Sequence, residues 1–99
     1  MPPIRGYRQI ASRSVDALFT EVAGEVVLVS IAKGHYYALD VIASEIWRKL
    51  EHPFEIGDLC NMLITQYNGD PEEIETDVEA LLERWVDEGF VDVTNSSDA

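Results

Sequence analysis

The sequence is short of almost everything that chemistry uses. Its 99 residues contain one cysteine, Cys60, so no disulfide can form within the chain. That fits a reducing compartment. There are two histidines, His35 and His52, and neither stands at metal-ligand spacing from the other or from Cys60. No metal is expected, and no other cofactor is suggested. There is no nucleophile elbow and no glycine-rich phosphate loop. Cys60 falls in a helical stretch and reads as small core filler. No apolar run approaches the roughly 20 residues needed to span a bilayer. The basic start is not followed by the apolar segment that a signal peptide carries. A soluble, cytoplasmic protein without a membrane partner is the expectation.

Basic residues are scarce too. Seven Lys and Arg stand against 19 Asp and Glu, a formal charge of −12. Such a charge repels phosphate backbones and anionic headgroups. It favours basic partners, or it serves solubility alone. The carboxylates fall mostly on one polar helix face, where solvation accounts for them better than an acid/base pair does. No catalytic residue is therefore assigned, and the chain does not read as an enzyme.

What is present is enough to fold. Apolar residues make up 46% of the chain, too many for a disordered acidic tail. The length suits one domain, which buries roughly two-thirds of the surface its unfolded chain exposes. The charge is uneven along it. Residues 1–14 hold Arg5, Arg8 and Arg13 and no acid, and read as a flexible basic arm. Residues 70–88 hold nine acids and one base, Arg84. Residues 95–99 read as a frayed tail, which leaves 15–94 as the folded domain.

Three strands open that domain. They cover 15–22, 25–31 (Glu-Val-Val-Leu-Val-Ser-Ile) and 35–39 (His-Tyr-Tyr-Ala-Leu). Ala23-Gly24 and Lys33-Gly34 supply the turns. Connections this short imply antiparallel pairing. The period then changes from 2 to 3.6. Asp40 caps a helix over 41–51 with Ile42, Ile46, Trp47 and Leu50 on one stripe. A second helix covers 55–67, carrying Ile56, Leu59, Met62, Leu63 and, at its end, Tyr67, and Asn68-Gly69 ends it. Asp70-Pro71 opens a third over 71–88, with Ile74, Val78, Leu81, Leu82, Trp85 and Val86 inward. Residues 90–94 could add a short fourth strand. The expected fold is α+β, a three-stranded antiparallel sheet followed by three helices, arranged like a winged helix-turn-helix.

That arrangement makes a DNA-binding regulator the competitor from another class. A recognition helix brings Arg or Lys to a polyanion. Residues 71–88 bring eight acids and Arg84, near the wrong end. Electrostatics rejects nucleic acid. An open sheet has another use. Its edge strand offers unpaired N–H and C=O groups to an extended peptide, and a helix beside that edge makes a groove for alternate side chains.

Residues 34–50, Gly-His-Tyr-Tyr-Ala-Leu-Asp-Val-Ile-Ala-Ser-Glu-Ile-Trp-Arg-Lys-Leu, resemble the signature of the PqqD-like family, recognition domains for ribosomally made, modified peptides. Asp40 stands where Asn is commonest in that pattern, and both cap helices. The likeness continues through Val26-Val27-Leu28-Val29, Glu75-Thr76-Asp77-Val78, Leu81-Leu82 and Glu88-Gly89-Phe90. It implies a non-catalytic module that binds the leader of a precursor peptide. The leader would pair with the third strand through the main chain of Tyr36, Tyr37 and Ala38. Ile74, Asp77, Val78 and Leu81 would line the groove. One of the two tyrosine rings must face each side of the sheet. The partner implied is a modifying enzyme. It would be a leader protease or cyclase in a lasso-peptide system, by analogy with short independent chains of this kind. The other family role is a chaperone for pyrroloquinoline quinone assembly with a radical SAM enzyme.

Overall fold

The computed structural model describes residues 9–95. Strands β1 (Gln9–Arg13), β2 (Leu18–Val22), β3 (Glu25–Ser30) and β4 (His35–Ala38) lead into helix α1 (Val41–Lys49). A two-residue strand β5 (Phe54–Glu55), helices α2 (Ile56–Tyr67) and α3 (Pro71–Asp87), and strand β6 (Val91–Asn95) complete the order. The strands form two antiparallel sheets, one ordered β2-β3-β4 and the other β5-β1-β6. The α+β class holds, with the expected three-stranded sheet ahead of three helices.

The first sheet follows from its turns and its alternation. Ala23 and Gly24 both have positive φ, 53° and 85°, as a two-residue hairpin with the right twist requires. On β3 every second residue is buried: Val26, Leu28 and Ser30. The buried Ser44 hydroxyl ties this sheet to α1, accepting the Val26 N–H at 3.0 Å and donating to the Leu39 carbonyl at 3.3 Å. Asp40 caps α1 by accepting the Ala43 N–H at 2.8 Å.

The other two helices start and stop for stated reasons. Asn68 adopts a left-handed conformation and ends α2. At Gly69 an added Cβ would come within 2.9 Å of the Ile74 side chain. Asp70 caps α3 through the Glu73 N–H at 3.1 Å. At the far end Gly89, at φ 83°, closes the helix. The Phe90 N–H reaches the Trp85 carbonyl at 2.8 Å and the Gly89 N–H the Val86 carbonyl at 3.0 Å, a Schellman closure.

The second sheet corrects two expectations. Residues 9–13 of the basic arm are not an arm. They form the central strand β1, paired with β6 from Gln9↔Asn95 to Arg13↔Val91. Ala11 is fully buried. Arg13 stays folded against the domain because its charge is satisfied there: the guanidinium donates to the Trp47 carbonyl at 3.1 and 2.8 Å. It also lies over the rings of Phe19 and Trp47, at 4.6 and 4.8 Å. Asn95, assigned to the tail, belongs to β6 and accepts from the Gln9 side chain at 3.1 Å. The strand expected at 90–94 begins at Val91 and joins this second sheet. The rest of the arm, 1–8, and of the tail, 96–99, lies outside the described residues.

The core runs between the two sheets and the helices. Its hub is Trp47, which meets Phe19 and Trp85 edge-on at 5.4 Å and Phe90 at 6.5 Å. Edge-to-face contacts of this kind add to what burial alone contributes.

Candidate functional site

Strand β4 is an edge. Among the described residues it pairs with β3 alone. Alternate N–H and C=O groups of an antiparallel edge strand point away from its neighbour, so β4 has main-chain groups to offer. Its side chains divide as period 2 requires. Tyr37 turns inward, edge-on to Phe90 at 5.8 Å. Tyr36 is 76% exposed on the opposite face. Burial first, then a hydrogen bond to Glu88, raises the pKa of the Tyr37 hydroxyl.

Beyond the end of β4 opens a groove of about 380 Å³ between α1, the end of α2 and α3. Ile74, Asp77, Val78 and Leu81 all line it. They stand at i, i+3, i+4 and i+7, one stripe of α3. Val78 is 3% exposed and belongs to the core as well. Ile74 and Leu81 are half-buried and Asp77 is exposed. Tyr36, Tyr37 and Ala38 do not line the groove; they form the strand that leads into it, and Asp40 is the first residue of that segment to reach it.

The opposite wall was not assigned to the site from sequence. Ile42, Ala43 and Ile46 of α1 and Leu63 and Tyr67 of α2 supply it. Reading stripes put most of these residues in the core. A sign was available in Ile42 and Tyr67, the outermost members of their stripes, which stay 44% and 39% exposed. Tyr67 is held by a hydrogen bond from its hydroxyl to Glu45 at 2.9 Å, and that bond leads the causes raising its pKa. Arg84 also lines the groove.

A clasp fixes the strand to the far end of α3. Lys33, in the β3–β4 turn, meets Glu88 at 2.9 Å. The hydrogen bond to Lys33 is the largest influence holding the Glu88 carboxyl below its ordinary range. The same bond raises the pKa of Lys33.

The groove holds no nucleophile beside a base. Cys60 is 2% exposed, and burial pushes its pKa to about 11, so it stays a thiol at neutral pH. Among the described residues no three His, Cys, Asp or Glu side chains could hold a metal, and no helix is long and apolar enough to cross a membrane.

An edge strand beside an apolar groove defines a class, peptide-binding modules that work by strand addition. Residues 25–91 match the model of the family described as coenzyme PQQ synthesis protein D (PqqD). The chain belongs to the PqqD family. Among solved structures it is similar to TbiB1, determined in complex with the TbiA(beta) leader peptide. The TM-score is 0.72 at 23% identity, covering 82% of this chain and 94% of that one. No curated protein matches.

Proposed function

We propose that this protein binds the leader segment of a ribosomally made precursor peptide and presents it to a separate modifying enzyme. The leader adds alongside Tyr36, Tyr37 and Ala38 as a further strand, bonding those main-chain groups that face away from β3, and its side chains enter the groove along Ile74, Asp77, Val78 and Leu81. The observation that carries this reading is the free edge of β4 leading directly into an apolar groove walled by α3. Family membership supports it, and so does the fold shared with TbiB1, whose structure contains a leader peptide. The first reading is a lasso-peptide pathway, in which the cytoplasmic partner is a leader protease or a cyclase. The module itself performs no chemistry. The family description favours the second reading, a chaperone for pyrroloquinoline quinone assembly working with a radical SAM enzyme.

Titration of a fluorescent synthetic leader from a neighbouring precursor gene tests the proposal. Saturable binding at micromolar or lower concentration is expected, with no turnover. Leu81→Asp, at a half-buried position that tolerates change better than Val78, should abolish it by replacing apolar lining with a charge. Duplex DNA should not bind even at low salt; saturable, steeply salt-dependent DNA binding would overturn the reading.

A further inference from the structure

The groove is mostly apolar, but its α3 wall carries two charges. Asp77 and Arg84 both line it and both are exposed. Neither has an ion-pair partner among the described residues. They are seven residues apart on α3, which is two turns along one stripe and about 10 Å along the axis. The groove therefore carries opposite charges two turns apart along its α3 wall, with the apolar Val78 and Leu81 between them.

An extended peptide suits that spacing. Residues i, i+2 and i+4 of a strand face one way, and the outer two are about 13 Å apart. Long side chains at i and i+4 can reach charges about 10 Å apart while i+2 fills the pocket. We propose that the groove selects an extended peptide with a bulky apolar residue flanked, two positions away on either side, by a basic residue that meets Asp77 and an acidic residue that meets Arg84. This rests on the leader-binding reading of the groove and adds the chemistry of the ligand. The overall charge of −12 does not supply it, because a net charge favours bases everywhere and cannot ask for an acid at one end.

The test uses a displayed library of random 12-residue peptides. It is selected against the full-length protein and, separately, against Asp77→Lys. The pool from the parent protein should carry a base and an acid on either side of an apolar residue; the pool from the variant should carry acids on both sides. A synthetic peptide from the first pool, with its base changed to Glu, should bind the parent about three- to fivefold more weakly. It should recover that loss on Asp77→Lys. Pools of the same charge pattern overturn the charge rule and leave the groove standing, provided Leu81→Asp still abolishes their binding. Pools that bind Leu81→Asp undiminished, or a library from which nothing enriches, overturn the groove and the charge rule together.

Discussion

The two sheets of this small domain are built alike and used differently. Each has three antiparallel strands, but β5-β1-β6 is sealed and β2-β3-β4 is open. In the first, Ala11, Val91 and Val93 are at most 1% exposed, and one edge is a strand of only two residues. So short an edge offers almost no template for another chain, and the opposite edge, β6, does not border the groove. In the second, β2 is exposed along its whole length and β4 along most of it. The sealed sheet fastens the two ends of the domain together. The open sheet keeps an edge beside an apolar groove. An edge of this kind is an aggregation liability unless something is meant to occupy it, and the adjoining groove gives it an occupant of defined shape.

The comparison is broken most severely at the place where both sheets meet. Trp47 touches Phe19 of the open sheet and receives Arg13 of the sealed one. Trp47→Ala should cost about 3–5 kcal/mol, as removal of a fully buried large aromatic does. Urea denaturation followed by circular dichroism measures it. If hydrogen exchange finds one sheet unprotected and the other intact, the two are not one cooperative unit.

The sealed side has its own pH signature. Helix α2 packs on β1 and β5, and Cys60 is its buried thiol. The folded-state pKa, about 11, lies above the ordinary value of 9.0. A raised folded-state value means the thiol's contribution is fully present below pH 9 and is lost as pH rises through 11. About 2–3 kcal/mol should be lost across that window. Cys60→Ala should flatten that part of the stability profile. A thiol reagent at pH 8 should modify the unfolded chain rapidly and the folded one hardly at all.

The open sheet is sharpened by Ser44. Its hydroxyl serves the Val26 N–H and the Leu39 carbonyl, both buried. Ser44→Ala leaves the two without that partner and should cost about 1–2 kcal/mol. The Val26 amide should exchange faster with solvent while the amides of Ile10 and Ser12 keep their protection. Equal loosening of both sheets would contradict the division drawn between them.

The open sheet was also the legible one. Val26, Leu28 and Ser30 alternate as a half-buried strand must, and the turns at Ala23-Gly24 and Lys33-Gly34 announce themselves. The three helices show their caps at Asp40, Asn68, Asp70 and Gly89. The sealed sheet hid for a physical reason. In Gln9-Ile-Ala-Ser-Arg the one strongly apolar residue, Ile10, is only half-buried, while Ala11 and Gln9 are the buried ones. That segment is a strand because β5 and β6 hold it, which no local pattern records. Arg13 was misleading in the same way: counted as charge it suggested an arm, whereas its guanidinium stacks on aromatic rings. The candidate groove divides likewise. Its α3 wall follows from one stripe, with the resemblance adding Asp77. The wall of Ile42, Ile46, Leu63 and Tyr67 depends on how far two stripes splay apart, and periodicity says nothing about splay.

The smallest expected effect probes how the open sheet holds its groove. The Lys33–Glu88 clasp pins the β3–β4 turn to the end of α3 with one partly exposed ion pair. Pairs of this kind contribute little to stability, so Lys33→Ala should leave the denaturation midpoint unchanged. Its effect belongs to the groove, because the clasp sets the distance between the accepting edge and the helical wall. A bound leader should dissociate about two- to threefold faster from the variant, the size expected for loss of one exposed pair. The pH dependence supplies the control. Glu88 titrates below its ordinary 4.5 when folded, and Lys33 above its ordinary 10.5. The carboxyl's contribution is therefore present above pH 4.5 and lost as pH falls through its lowered value; the ammonium's is present below 10.5 and lost as pH rises through its raised one. Between those limits the clasp is closed. Leader dissociation should quicken in the parent protein as the pH falls through the lowered Glu88 value, and Lys33→Ala should be fast already at pH 7 with less further change. Identical pH profiles for the two proteins would show that the clasp does not set the strand's position.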